Sequence, residues 1–114
     1  MRTTKEEAVL AKRVYFHDLY DLYAPLLTEK QREAWNLHEF EDLSLAETAE
    51  KLGISRQGVS DLITRSRERL EELENLLGFL QKEDALEEEV RELRRRIEHL
   101  SSGRGEAMQK AEGN

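Results

Sequence analysis

The sequence predicts an all-α protein: a compact helical bundle that contains a helix-turn-helix and carries a long C-terminal helical extension. Three observations lead to this fold class. Helix-capping signals recur just before apolar residues at helical spacing, and the 114 residues include a single proline. Residues 44–69 also combine two N-caps with a glycine at the spacing of a helix-turn-helix. A plain helical hairpin, the alternative, would require only some of these features.

The first helix is predicted to begin after Thr4, with Glu7 as its capping-box partner, and to end near Tyr23 because Pro25 follows. Two apolar rows run along this helix, Tyr15, Leu19, Leu22 and Leu26 in one and Phe16, Tyr20, Tyr23 and Leu27 in the other. A single row suffices to dock a helix on a small domain. The second row therefore indicates either one wide buried face or a face that partly meets a second protein.

A second helix is predicted to start after Thr28, whose capping partner is Gln31. Its large apolar residues are Trp35, Leu37, Phe40 and Leu43, and we expect the tryptophan to lie in the core. This helix would pack across the back of the helix-turn-helix. In that position Lys30 and Arg32 could reach a DNA backbone.

The helix-turn-helix is predicted from the run SLAETAEKLGISRQGV at residues 44–59. Ser44 caps its first helix, and Gly53 ends that helix because glycine accepts the left-handed conformation without a Cβ penalty. Ile54 is expected to be buried by the turn, and Ser55 caps the second helix. Val59, Leu62 and Ile63 form the inward face of that helix, whereas its outward face carries Arg56, Gln57, Ser60, Asp61, Thr64 and Arg65.

Beyond Arg69 the second motif helix is expected to continue, although Gly78 weakens the run. A separate final helix is predicted over residues 82–99, antiparallel either to its own domain or to a partner chain. Its seam, Leu86, Val90, Leu93, Ile97 and Leu100, follows steps of four and three. We therefore predict one helix-turn-helix domain over residues 1–100 and a disordered tail over residues 101–114, which lacks periodicity.

Composition and charge exclude several functional classes. No apolar run approaches about 20 residues, so no membrane span is predicted, and the absence of a signal region and of cysteine favours a cytoplasmic location. The three histidines lie on different predicted helices, and no catalytic, metal-binding or phosphate-loop motif occurs. We therefore expect no enzymatic activity, no catalytic residue, no metal site and no cofactor.

The segments LTEKQ at 27–31 and SLAETAEKLGISRQGV at 44–59 resemble the YlxM-like family of small helix-turn-helix, DNA-binding proteins. The resemblance covers residues 13–100. More distantly, the same segments are similar to region four of bacterial sigma factors. The family resemblance implies a compact all-helical domain with a helix-turn-helix like that of sigma region four. Genes of the family commonly neighbour those for the signal recognition particle protein and its receptor, which implies a regulatory role in that pathway.

A DNA-binding function would place the N-terminal residues of the second motif helix in the major groove of double-stranded DNA. In this interpretation Gln57 pairs with adenine and Arg56 with guanine or a phosphate. The remaining candidates are adaptable or phosphate contacts: Ser60 and Thr64 on the same face, Arg65 and Arg67 as backbone anchors, and Ser44 and Ser55 at helix N-termini. The two serines could equally be caps alone, and the arginines could be merely solvated.

The alternative interpretation is a non-enzymatic helical adaptor for a protein or RNA component of the signal recognition particle. The net charge of −7 favours it, because affinity for duplex DNA comes from cationic residues. The charge is uneven, however: residues 44–69 carry a net +1, whereas residues 1–43 carry −3 and residues 70–114 carry −5. The doubled rows of the first helix and the seam at 86–100 also indicate a possible homodimer.

Overall fold

The computed structural model describes the backbone of residues 4–112 and the side chains of residues 4–103. Within this part of the chain all regular structure is helical, which confirms the predicted fold class. A 3-10 turn at Ala24–Leu26 follows the first α-helix, and a π-helical turn at Asn36–Phe40 follows the second. The α-helices are α1 (Lys5–Tyr23), α2 (Glu29–Trp35), α3 (Leu45–Leu52), α4 (Arg56–Leu77) and α5 (Phe79–Glu112).

Side-chain caps fix the starts of the first three helices. The Thr4 hydroxyl accepts the backbone N–H of Glu7 at 3.1 Å, and the Glu7 carboxylate accepts the backbone N–H of Thr4 at 3.3 Å. The same reciprocal arrangement joins Thr28 to Gln31 and Ser44 to Glu47. Each box pairs two N–H groups that a helix leaves unsatisfied. The capping boxes predicted at Thr4 and Thr28 and the N-cap predicted at Ser44 are therefore present, within one residue of the predicted starts.

The core is formed by apolar side chains from α1, α2, α3 and α4. Trp35 is fully buried and stacks on the ring of Tyr20, with centroids 5.4 Å apart and planes 4° from parallel. Leu19, Val59 and Leu70 are also fully buried. The prediction that the only tryptophan is a core residue is confirmed.

The two apolar rows of α1 divide between core and surface. Every member of the row from Phe16 to Leu27 is buried. In the other row Leu19 is buried, whereas Tyr15 and Leu26 remain 39% and 56% exposed. One wide and wholly buried face is thus not what the helix has, and part of its apolar surface stays open.

The π-helical turn at Asn36–Phe40 is a feature that the sequence did not predict. The backbone N–H of Glu41 donates to the carbonyl of Asn36 at 3.0 Å, five residues earlier. The wider turn shifts the phase of the following side chains, so that Glu39 points inward and is 7% exposed. Phe40, expected among the apolar residues of this helix, is 45% exposed, and the edge of its ring contacts Tyr20.

Ile54 departs from its predicted burial. Its side chain is 38% exposed, because it lies over the first turn of α4 beside Gly58 rather than between the helices. Burial at the crossing is instead provided by Thr48 and Ala49 on α3. The turn therefore buries less apolar surface than its sequence indicates.

Gly78 ends α4 in the left-handed conformation, with φ of 63°, rather than lying within a weakened helix. Hydrogen bonds of Tyr23 and Glu74 stabilise the junction between α4 and α5. The Tyr23 hydroxyl donates to Glu74 Oε1 at 2.7 Å and accepts the backbone N–H of Phe79 at 3.1 Å. Burial, followed by the hydrogen bond with Glu74, raises the pKa of Tyr23. Glu74 also accepts the N–H of Leu80 at 3.0 Å.

The chain divides into two compact units between Leu80 and Gln81. In the second unit α5 is longer than the predicted 82–99 helix. It continues to Glu112, whereas a disordered tail was predicted from residue 101. Strong helix formers such as Ala, Met, Gln and Lys dominate the extension, and its glycines reduce helix propensity without forbidding the conformation. Residues 113–114 of the predicted tail lie outside the described part of the chain.

Candidate nucleic-acid interface

The turn between α3 and α4 spans only three residues, and each has a local reason for its conformation. Gly53 adopts φ of 67°, where a side chain would be strained. The backbone N–H of Ile54 donates to the carbonyl of Ala49 at 3.1 Å, which closes the end of α3. The Ser55 hydroxyl then accepts the N–H of Gly58 at 2.9 Å and opens α4. These three residues join the short helix α3 to the long helix α4.

The two helices are held together by small and branched side chains. Ala49 on α3 and Val59 and Ile63 on α4 are buried in the common core. Thr48 is fully buried as well, and its hydroxyl donates to the carbonyl of Ser44 at 2.8 Å, so no polar atom of its side chain is left unpaired. This packing fixes the face that α4 presents to solvent.

The outward face of α4 begins with exposed polar residues, as predicted. Arg56, Gln57, Thr64 and Arg65 are exposed, and Ser60 is half-buried. Among the described residues neither Arg56 nor Arg65 forms an ion pair. Their guanidinium groups are thus available to a phosphate or a base. All five thus lie at least partly in solvent along α4, although Arg56 and Arg65, nine residues apart, project from opposite sides of the helix.

Acidic residues interrupt this surface. Gln57 Nε2 donates to Asp61 Oδ1 at 3.0 Å, one helical turn away, so the amide is engaged in the unbound protein. Asp61 also lies between Arg56 and Arg65 along the helix, and Glu68 follows on the same side. The positive charge of the face is therefore discontinuous.

Ser44 and Ser55 both act as N-caps, and both are exposed. Their hydroxyls accept backbone N–H groups at 3.0 and 2.9 Å, which accounts for their position without any ligand. The carboxylate of Glu47 accepts the N–H of Ser44 at 3.2 Å. That backbone hydrogen bond, together with the Ser44 hydroxyl and then Lys51, lowers the pKa of Glu47.

Arg67, predicted as a backbone anchor, is turned away from the outward face. Its Nη2 lies 2.8 Å from Oε1 of the buried Glu39, and its guanidinium carbon lies 5.7 Å from the centre of the Phe16 ring. An arginine that compensates a buried carboxylate is not free to contact phosphate. Arg32, considered for the same role, donates to the carbonyls of Leu27 and Ala24 at 2.6 and 3.3 Å.

A groove of about 450 Å³ lies on the side of Arg67, between α1, the π-helical turn and α4. Arg13 crosses its rim and pairs with Asp42 Oδ1 at 2.7 Å. His17 Nε2 lies 3.7 Å from the other carboxylate oxygen of Glu39. This polar cluster is not evident from the sequence, because its members come from three separate segments between Arg13 and Arg67 and no local pattern links them.

None of the helices in the described chain is both long and apolar enough to cross a membrane. Across the same residues, no three histidine, aspartate or glutamate side chains converge in a way that could hold a metal ion.

A family model described as "Putative helix-turn-helix protein, YlxM / p13 like" matches residues 10–110. The UPF0122 protein of Halalkalibacterium halodurans is 39% identical over 90 residues, which cover 79% of this chain and 83% of the relative. The UPF0122 protein of Symbiobacterium thermophilum is 52% identical over 62 residues, or 54% of this chain and 58% of the relative. That of Caldanaerobacter subterraneus is 41% identical over 76 residues, 67% and 65% of the two chains.

Two of these alignments thus cover less than two thirds of the relative's own length. The family model nevertheless spans most of the chain and includes all of α3 and α4. The helix-turn-helix described above is the feature that the family's description names. The chain therefore belongs to the UPF0122 family of YlxM- and p13-like helix-turn-helix proteins.

Proposed function

We propose that this protein binds double-stranded DNA through the N-terminal part of α4 and acts as a regulator. The observation that carries the proposal is the short turn at Gly53–Ser55, after which Arg56 and Gln57 are exposed at the start of α4. In helix-turn-helix proteins this is the part of the second helix that reaches base edges. The proposed function is binding, without catalysis or a cofactor.

The proposed contacts follow from the chemistry of the outward face. Arg56 would donate to guanine or a phosphate, and Gln57 would pair with adenine after exchanging its hydrogen bond with Asp61. Ser60 and Thr64 would make adaptable contacts, and Arg65 would contact a phosphate. Backbone N–H groups in the first turns of α3 and α4, which follow Ser44 and Ser55, would donate to phosphates at the positive ends of these helices. Arg67 is no longer part of this set.

An adaptor role is the second candidate, and the interrupted charge of the outward face favours it. Asp61 and Glu68 repel phosphate, and the whole chain carries a net charge of −7. In this alternative the same face binds a protein or RNA component of the signal recognition particle. The resemblance of the sequence to the YlxM-like family motivates that choice of pathway for both candidates. Either role would be exercised in the cytoplasm.

Fluorescence anisotropy tests the two candidates together. Labelled duplex DNA and labelled signal recognition particle RNA would be titrated with the protein at several salt concentrations. We expect salt-sensitive binding of duplex that an Arg56→Ala, Gln57→Ala double variant loses. Arg91→Ala is the control, because it also removes one exposed cation, but on α5. Absence of duplex binding at low salt would contradict the DNA proposal, and binding of the RNA alone would favour the adaptor.

We further propose that the protein functions as a homodimer. Apolar side chains remain exposed on α1, where Val9, Leu10 and Val14 are each at least half exposed, and along α5. A dimer that binds one face of DNA should place its two α4 helices about 34 Å apart or at a multiple of that distance. Symmetric half-sites at one helical turn would be the corresponding signature in DNA selected from a random pool.

A further inference from the structure

We infer that α5 pairs with α5 of a second copy as a short, parallel, two-stranded coiled coil. The inference deepens the homodimer proposed above, since it names the surface and its direction, but it does not depend on DNA binding. The surface is the row Leu86, Val90, Leu93, Ile97 and Leu100, whose members are 46–65% exposed. Such a row of apolar side chains on a charged helix is the surface that coiled coils bury.

The residue types within the row specify the number of strands. The steps from residue 86 to residue 100 are four, three, four and three, so the seam follows a heptad repeat. Val90 and Ile97 occupy the a positions, and both are β-branched. The d positions are all leucine. β-Branched residues at a with leucine at d favour two parallel strands over larger assemblies.

The charged residues of α5 separate into two groups. On the faces away from the seam they pair within the helix: Arg91 with Glu88 at 2.7 Å, and Arg95 with Glu92 at 3.2 Å. Beside the seam, Arg96 at a g position also pairs within the helix, with Glu92 at 3.3 Å. Glu89 at a g position and Arg94 at an e position, by contrast, form no ion pair among the described residues.

In a parallel pair a g residue faces the e residue five positions later in the other chain. Glu89 would therefore face the partner's Arg94, and Arg94 would face the partner's Glu89. Two symmetry-related ion pairs would thus use the charges that the single chain leaves unpaired. This complementarity identifies a second copy of α5 as the occupant.

Direction follows from counting the layers that each arrangement buries. In a parallel pair each of the five residues of the row packs against the same residue of the other chain, which gives five apolar layers. An antiparallel pair aligns a positions with d positions, so at most four layers match, and in the alignment that best pairs the charges Leu100 lies opposite Glu83. The parallel arrangement therefore buries one more apolar layer and leaves no leucine against a carboxylate.

Sedimentation equilibrium tests the surface. Over protein concentrations from about 1 to about 100 µM, we expect the wild-type mass to rise towards twice 13.3 kDa. A Leu93→Gln, Ile97→Gln variant should dissociate about a hundredfold more readily, because four apolar side chains lose their burial. The matched control is Arg91→Gln, Arg95→Gln, which also replaces two residues by glutamine, but on the outer faces of the helix. It should dimerise like the wild type. Circular dichroism would establish that each variant keeps its helices.

The outcomes separate this inference from the broader proposals. A wild-type protein that stays monomeric across the range contradicts both the homodimer and the coiled coil. A dimer that the Leu93→Gln, Ile97→Gln variant retains contradicts the coiled coil alone and directs attention to the exposed residues of α1. DNA binding is measured separately and can fail or succeed in either case.

Disulfide trapping tests the direction, and the chain suits it because it contains no cysteine. In a parallel pair a Leu100→Cys variant should oxidise to a covalent dimer, since the two residues face each other at a d layer. In the antiparallel alignment Leu100 lies opposite Glu83 instead. Leu100→Cys would then remain monomeric in a denaturing gel, whereas its mixture with Glu83→Cys would give a crosslinked pair. That second pattern would overturn the parallel assignment.

A charge exchange tests the proposed ion pairs. Glu89→Arg alone should weaken dimerisation about tenfold, because arginine would then face the partner's Arg94. Adding Arg94→Glu restores opposite charges in a parallel pair, so the double variant should recover the wild-type constant. In the antiparallel alignment both exchanged residues would meet like charges, and the double variant would dimerise more weakly than the single one, contrary to the inference.

Discussion

At the scale of single residues, the buried carboxylate of Glu39 determines the role of its neighbours. It holds Arg67 at 2.8 Å and lies 3.7 Å from His17, while its backbone carbonyl accepts Arg13 Nη2 at 3.3 Å. The sequence predicts a phosphate contact for Arg67 because it lies close to Arg65 in residues 44–69, the segment with a net charge of +1. What sequence reasoning could not supply was the inward turn of Glu39, which results from the π-helical turn.

Removing Arg67 should destabilise the protein, because it leaves the Glu39 carboxylate buried without its main partner. We expect Arg67→Met to lower the free energy of unfolding by about 1–2 kcal/mol, a value reduced from that of a fully buried pair because the arginine side chain is 43% exposed. Adding Glu39→Met should recover most of the loss, since both charges are then absent. Urea unfolding of both variants measures this. A double variant no more stable than Arg67→Met would contradict the assignment.

Glu47 gives a prediction about pH. Its pKa is lower in the folded protein than in the unfolded chain, chiefly because its carboxylate accepts the backbone N–H of Ser44. The unfolded state therefore binds this proton more readily, and the stabilisation present above pH 4.5 is lost as the pH falls through the folded-state pKa.

Glu47→Gln keeps an acceptor for the Ser44 N–H but removes the charge. We therefore expect wild type to be more stable than this variant near neutral pH, and the two to converge once the pH has fallen below the lowered folded-state pKa of Glu47. Chemical unfolding of both proteins across this range measures the difference, and Glu6→Gln, in the first turn of α1, is the control for loss of an acidic residue. A difference that is independent of pH would show that the carboxylate is not the source.

At the scale of elements, the starts and ends of helices could be predicted from the sequence, whereas the direction in which side chains point after the π-helical turn could not. Helix starts were predictable at Thr4, Thr28 and Ser44, because a capping box involves residues only three apart. The end of α3 was predictable at Gly53, because glycine adopts the left-handed conformation that ends a helix. The π-helical turn at Asn36–Phe40 has no such local sequence signal, and its Phe40 packs against Tyr20 on α1, which is distant in the sequence. The exposure of Ile54 likewise depends on how α3 and α4 meet.

Gly53 offers a test of the turn that separates strain from crowding. No atom lies within 4 Å of the position that a Cβ would take, so the cost of a side chain is confined to the backbone at φ of 67°. We expect Gly53→Ala to lower the free energy of unfolding by about 1 kcal/mol. Gly53→Asn should cost less, because asparagine tolerates the left-handed region better. Equal losses for the two variants in urea unfolding would contradict this account.

At the scale of the whole molecule, the distribution of charge matters more than its sum. Segments on either side of the helix-turn-helix are acidic, so any duplex must approach through residues 44–69. This asymmetry is evident from the sequence. The structure removes Arg67 from the candidate phosphate contacts, because that residue pairs with Glu39. Two unpaired arginines, Arg56 and Arg65, remain exposed on α4 of each chain. Dimerisation would double that number without adding a new cation to either copy.

The salt dependence of DNA binding should therefore report both the interface and the assembly. Each phosphate neutralised contributes about −0.9 to the slope of log K against log salt concentration, so two arginines per chain predict a slope of about −2 for a monomer and about −4 for a dimer. We expect the wild type to give the steeper value and the Leu93→Gln, Ile97→Gln variant the shallower one, with Arg91→Gln, Arg95→Gln matching the wild type. Anisotropy titrations with one duplex between about 50 and 200 mM salt provide the slopes. Equal slopes for wild type and the seam variant would mean that one chain alone contacts the duplex, and a slope near zero would remove the arginines from the interface.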